Sequence, residues 1–154
     1  MTRTITITGG KGGVGKTSIS LNIAICLSKL KSKVCLFDAD LGLANINILL
    51  GLYPEYDLED VILDKKSIKD IIIKAPQGID IIPGSSGVEK LANLEAEEID
   101  HLVKSFSELE EYDYFLFDTS AGITKNVISF CLASSEVVIV ITPEPLHLRM
   151  HTPF

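Results

Sequence analysis

A surplus of basic charge, paired cysteines and long apolar runs are all missing from this chain, and each absence weighs against a class of function. Lys and Arg number 14 against 21 Asp and Glu, a net charge of −7, which argues against a broad nucleic-acid-binding face because such faces need grouped cations. Cys26, Cys35 and Cys131 form an odd, scattered set without a Cys-x-x-Cys, so no zinc or iron–sulfur framework is written here. All three lie in apolar stretches and read as reduced core cysteines, which suits a cytoplasmic protein. No run approaches the ~20 apolar residues of a membrane span, and the first residues lack the apolar stretch of a signal peptide. No internal repeat or low-complexity segment is present. With 46% hydrophobic and 23% charged residues over 154 positions, the chain reads as one globular domain.

What is present is a glycine-rich run in a telling place. Gly10-Lys11-Gly12-Gly13-Val14-Gly15-Lys16-Thr17 fits the Walker A pattern, and it follows directly on the β-type run Thr4–Thr8. Glycines let backbone N–H groups turn toward phosphate oxygens with no Cβ in the way. Thr17 and Ser18 open a helix running to Leu30, whose positive N-terminal end favours the same anion. Lys16 offers a point charge to the β/γ-phosphates, and Thr17 a hydroxyl to Mg²⁺. The pattern predicts binding of a nucleoside triphosphate through Gly10, Lys11, Gly12, Gly13, Val14, Gly15, Lys16, Thr17 and Ser18, with ATP and Mg²⁺ as the cofactors.

The rest of the chain alternates strand and helix, which predicts an α/β fold with a mostly parallel β-sheet flanked by helices. Expected strands are Thr4–Thr8, Lys33–Phe37, Ile79–Gly84, Tyr114–Asp118 and Glu136–Ile141. Expected helices are Lys16–Leu30, Asn45–Leu50, Glu97–Leu109 and Lys125–Ala133, while Leu58–Leu63 and Ile68–Ile73 are small helices or extended pieces. Three acids then fall at strand ends, where ligands of open α/β sheets bind. Asp118 closes Phe115-Leu116-Phe117-Asp118, a Walker B pattern whose carboxylate would serve Mg²⁺; the competing reading is a cap or turn former before Thr119-Ser120-Ala121-Gly122. Asp38 and Asp40 are either polar loop residues or, beside a triphosphate, one orients the attacking water and the other supports Mg²⁺.

Lys11 narrows the class. Lys11-Gly12-Gly13-Val14-Gly15-Lys16-Thr17 resembles the deviant Walker A motif of the MinD/ParA ATPases, a P-loop NTPase superfamily. Phe37–Leu52, Ile81–Gly87 and Phe117–Ile123 are similar to its flagellar branch, FlhG (YlxH, FleN), and the likeness runs from residue 2 to about 145. Thr119-Ser120-Ala121-Gly122 stands where MinD more often has Pro-Ala-Gly. The resemblance implies that Lys11 reaches across an ATP-bound homodimer to the partner's phosphates. It implies that Asp40 orients the attacking water, that Thr17, Asp38 and Asp118 serve the Mg²⁺ region, and that Asn45 is a switch residue or a helix cap. The implied activity is hydrolysis of ATP to ADP and phosphate, regulating flagellar number or placement. Division-site positioning and DNA partitioning are the rivals within the family, and a non-catalytic nucleotide-binding fragment is the rival outside it. Implied partners are an SRP-type GTPase (FlhF) and flagellar basal-body proteins, with no nucleic acid.

After Thr142-Pro143-Glu144-Pro145 the family pattern breaks. The expected division is therefore 1–145, the N-terminal part of a MinD-like ATPase domain, and 146–154, an aberrant tail. One back-translation of Leu146–Phe154 with a single base restored reads Thr-Ser-Phe-Thr-Asp-Ala-Tyr-Ser-Leu, close to the family continuation, so we expect an out-of-frame tail. His147 and His151 have metal-pair spacing but no third ligand. The fold is expected to be incomplete relative to the family, lacking further strands, the adenine-contacting segment and the C-terminal membrane-targeting helix. Reversible membrane association is thus expected only of an intact relative. The N-terminal extension through which some flagellar relatives contact FlhF is also expected to be lacking.

Overall fold

The computed structural model describes residues 2–41, 45–85 and 96–143. Among them a six-stranded sheet is built from β1 (Arg3–Thr8), β2 (Val34–Ala39), β3 (Ile73–Lys74), β4 (Asp80–Ile82), β5 (Tyr114–Thr119) and β6 (Glu136–Ile139), in the order β3-β4-β2-β5-β1-β6. Every pairing is parallel except β3 with β4. The helices are α1 (Lys16–Lys29), α2 (Ile46–Leu49), α3 (Leu58–Ile62), α4 (Ala96–Ser105) and α5 (Lys125–Ala133), with 3₁₀ turns at Ile68–Ile71 and Phe106–Glu108. Gly42, Leu43 and Ala44 of the flagellar-type stretch, Ser86 and Gly87 of another, and the tail with His147 and His151 lie outside the described residues.

Side chains alternate across a strand, and here the alternation divides the core in two. Cys35, Phe37 and Ala39 of β2, with Phe115 and Phe117 of β5, face α3, α4 and α5. Val34 and Leu36, with Leu116, Ile5 and Ile7, face the opposite side, where Ala24 of α1 meets them. The first layer is aromatic: Phe37 lies 5.1 Å from Phe106, 6.0 Å from Phe117 and 5.7 Å from Phe130, centroid to centroid. Such tilted and edge-on contacts suit the ring quadrupoles and fill the layer densely. By parity, Asp38 and Asp118 fall on the α1 side.

Three details differ from the sequence reading. Ile68–Ile73 splits into a 3₁₀ turn and the start of β3, a strand too short to show a period of two. Cys26 is exposed rather than core: α1 buries Lys16, Ser20 and Ala24, and two residues beyond Ala24 the helix points away from the sheet. Cys35 is buried as expected, and Cys131 is half-buried. The last strand is apolar but not enclosed, for all four residues of β6 are exposed at the sheet edge. It is held by β1, by an ion pair between Arg3 and Glu136, and by Ser135 with Thr4. Among the described residues no helix is long and apolar enough to cross a membrane.

Phe37→Ala should be among the most damaging core changes. Loss of a fully buried ring that touches three others is expected to cost about 3–5 kcal/mol in urea unfolding.

Candidate functional site

The connection between β1 and α1 is shaped by its glycines. Gly13 (φ 73°) and Gly15 (φ 93°) are left-handed, a backbone state that side chains resist. A Cβ on Gly9 would lie 2.6 Å from the Val140 carbonyl oxygen, so only glycine fits there. On Gly10 and Gly12 a Cβ would meet nothing within 4 Å, which leaves space above the loop backbone. Helix α1 begins at Gly15 with no side-chain cap and no acid in its first turn. Its first N–H groups and its dipole therefore favour an anion from outside the helix. Lys16 is nearly buried, and its Nζ donates to the Lys11 carbonyl at 3.4 Å, folding the ammonium over the loop.

Asp118 closes the site from β5. Its carboxylate is 1% exposed and accepts from the Ser20 hydroxyl at 2.7 Å, with the Thr17 hydroxyl on the same side of α1. Burial pushes the Asp118 carboxyl above its ordinary value; Thr17, Ser20 and Lys16 pull it back, and Asp40 adds to the rise. The loop after β5 turns back onto the glycine loop, with Gly122 N–H donating to the Gly9 carbonyl at 3.1 Å and Thr119 Oγ1 to the Ile7 carbonyl at 2.9 Å.

Asp38 sits in register with Asp118 on the neighbouring strand, but its oxygens turn elsewhere. One oxygen accepts from the backbone N–H of Asn45 at 2.7 Å and of Ile46 at 2.9 Å, and the other lies 3.4 Å from the N–H of Asp40. The carboxylate thus fastens the entry of α2 and the residue just past β2. Burial raises the Asp38 carboxyl to about 7 against these amide bonds, with nearby Asp118 adding to the rise.

The donors fit a magnesium nucleotide. Thr17 and Asp118 present a hydroxyl and a carboxylate, hard oxygens of the type Mg²⁺ takes while keeping waters and phosphate oxygens as its other ligands. Among the described residues no three His, Cys, Asp or Glu side chains gather into an all-protein cage. The structure places Gly10, Lys11, Gly12, Gly13, Val14 and Gly15 in the connection before α1, with Lys16 and Thr17 in its first turn near Asp118. The Ser18 side chain is exposed on α1, the Lys11 side chain is exposed on the loop, and Asp40 is half-buried beyond β2. Asn45 precedes α2 without a side-chain cap bond; the capping oxygen comes from Asp38. Sequence reasoning missed Ser20, Gly9 and this capping by Asp38. Polar Ser20, one turn after Lys16 on the buried stripe of α1, was the signal available for the first.

A mostly parallel sheet delivering a glycine loop from one strand and a buried acid from its neighbour is the P-loop NTPase fold of MinD-type ATPases. The chain belongs to the AAA domain family, whose model matches residues 2–150. It is 43% identical over 142 residues to the antiactivator FleN of Pseudomonas aeruginosa, covering 92% of this chain and 51% of that protein. It is 41% identical over 145 residues to the flagellum site-determining protein YlxH of Helicobacter pylori, covering 94% and 49%. The septum site-determining protein MinD of Pyrococcus horikoshii, solved with Mg-ADP, superposes with a TM-score of 0.82 at 32% identity, over 94% of this chain and 59% of that one. The chain therefore spans about half the length of the curated relatives it matches. The flagellar resemblance read from residues 37–52 and 117–123 agrees with the first two.

The raised Asp38 value has a measurable consequence with a definite sign. From its ordinary value of 3.8 up to about 7, the folded chain holds a proton that the unfolded chain has released. Stability contributed by Asp38 is therefore full below the lower value, falls as pH rises, and is lost through the upper one. In nucleotide-free urea unfolding, the native chain should lose stability relative to Asp38→Asn between about pH 4 and pH 7 and run parallel to it above that window.

Proposed function

We propose that this chain is the nucleotide-binding part of an ATPase that converts ATP to ADP and phosphate and, through an ATP-dependent homodimer, regulates flagellar number or placement. The observation that carries the reading is one juxtaposition: Lys16 and Thr17 at the uncapped start of α1, set against the Asp118 carboxylate at the end of β5. The glycine-loop amides and the α1 terminus hold the phosphates, and Lys16 turns from the Lys11 carbonyl to a phosphate oxygen. Thr17 and Asp118 would hold Mg²⁺, which when bound neutralises charge on the β- and γ-phosphate oxygens. Asp40 accepts a hydrogen bond from the attacking water and orients it. Asp38 serves the metal region from behind, fastening Asp40 and the entry of α2. Lys11 supplies its ammonium in trans to the phosphates of the second copy, as an arginine finger does. The names of FleN and YlxH support the flagellar role, and an SRP-type GTPase and basal-body proteins are the partners proposed with it.

A second cellular reading, positioning of the division septum, is favoured by the likeness to MinD in both sequence and structure. DNA partitioning is disfavoured by the net charge of −7.

The biochemical core is tested by Mg-ATP binding and phosphate release. Lys16→Ala removes a charge-assisted contact and should weaken ATP binding by about 10- to 100-fold; turnover that survives this change would sink the mechanism. Lys11→Ala should retain ATP binding yet lose the ATP-dependent dimer in sedimentation. A dimer that persists in Lys11→Ala counts against the action in trans. Flagellar number in a deletion strain, compared with septum position, decides between the two cellular readings.

A further inference from the structure

Ser20 has been given no role beyond its bond to Asp118, yet it is fully buried beside that carboxylate. Its hydroxyl oxygen lies 2.7 Å from Asp118 Oδ1 and 2.9 Å from the Lys16 carbonyl. A serine has one proton and cannot serve both acceptors fully. Helix serines often bond back to the carbonyl four residues before them, which would make Ser20 a local ornament of α1. Two facts favour Asp118 instead. The Lys16 carbonyl already serves the helix ladder, whereas Asp118 is 1% exposed and depends on protein donors. A bond to a buried carboxylate is also stronger than one to a neutral carbonyl.

The helix period makes the arrangement specific. Thr17 and Ser20 are three residues apart, so both hydroxyls lie on the face of α1 turned to Asp118, and Ser20 bonds its carboxylate directly. Thr17 is partly exposed toward the loop; Ser20, fully buried, grips from below. Among the described residues no buried side-chain oxygen or nitrogen lacks a partner, so the contact belongs to a fully satisfied network.

We propose that Ser20 is a positioning residue: its hydroxyl fixes the Asp118 carboxylate in the orientation that faces Thr17, and so sets the affinity of the site for Mg²⁺ without touching the ion. This rests on the reading of Thr17 and Asp118 as the Mg²⁺ residues. Removing the hydroxyl leaves a void too small for water, so Asp118 loses a donor that solvent does not replace.

The test is equilibrium binding of ADP to the whole 154-residue chain, in EDTA and across a Mg²⁺ titration. Ser20→Ala should raise the Mg²⁺ concentration for half-saturation about tenfold, the scale of one hydrogen bond to a charged group, and leave metal-free ADP affinity within about twofold. Ser20→Thr, which keeps the hydroxyl, should restore the native Mg²⁺ dependence. In an Asp118→Asn background, Ser20→Ala should add less than about twofold, because the two residues act as one unit. An unchanged Mg²⁺ dependence overturns the proposal, as does an equal loss in the Asp118→Asn background or a parallel fall in metal-free affinity. Should Ser20→Ala not fold, Ser20→Cys, nearly isosteric but a weak donor, carries the same expectation. Absence of any Mg²⁺-dependent ADP binding in the native chain defeats the site reading itself, whereas Mg²⁺-dependent binding indifferent to residue 20 defeats this assignment alone.

Discussion

Two carboxylates held side by side out of water govern the upper half of this molecule. Asp38 and Asp118 occupy equivalent positions on neighbouring parallel strands, and each is 1% exposed. Buried acids repel each other and lose hydration, so each needs donors of its own. The chain supplies them from different places: backbone amides after β2 for Asp38, helix hydroxyls of α1 for Asp118. The start of α2 and the seating of α1 on the sheet both follow from that division.

The sheet that presents these acids is built unequally. One face carries a continuous aromatic layer through Phe37, Phe106, Phe115, Phe117 and Phe130, and the other carries aliphatic residues under α1. Phenylalanine rings fill volume without polar atoms, so the first face packs the sheet and leaves Asp38 and Asp118 on the second. The strand order brings β1 and β5 together as neighbours, and their exits carry the glycine loop and Asp118. Ligands of open α/β sheets bind at such a crossing of connections. In this chain that location is fixed by the hydrogen-bonded register of Ile7 with Asp118.

Much of this was legible in the residues alone. Doubly covered strands such as 34–39 announce themselves by unbroken apolar runs, and the glycine loop by a spacing tied to phosphate geometry. Asp118 was legible because a hydrophobic run ends on it. The role of Asp38 was not, because it depends on amides seven and eight residues later, and a contact at that separation leaves no periodic signal in the sequence. Ser20 was hidden for another reason: a serine in a helix is ordinary, and its meaning rests on which face of α1 meets β5. Cys26 failed on that same question of facing. Strand β3, at two residues, is formed by pairing with β4 and not by its own sequence.

Gly9 lies at a junction between three parts of the fold. Its carbonyl receives Gly122 from the loop after β5, its missing side chain makes way for the Val140 carbonyl, and Val140 N–H donates to the Thr8 carbonyl beside it. The edge strand, the loop after β5 and the glycine loop therefore meet at one residue that has no side chain to spare. Any larger residue at position 9 would press on the Val140 carbonyl and disturb the contacts of all three at once.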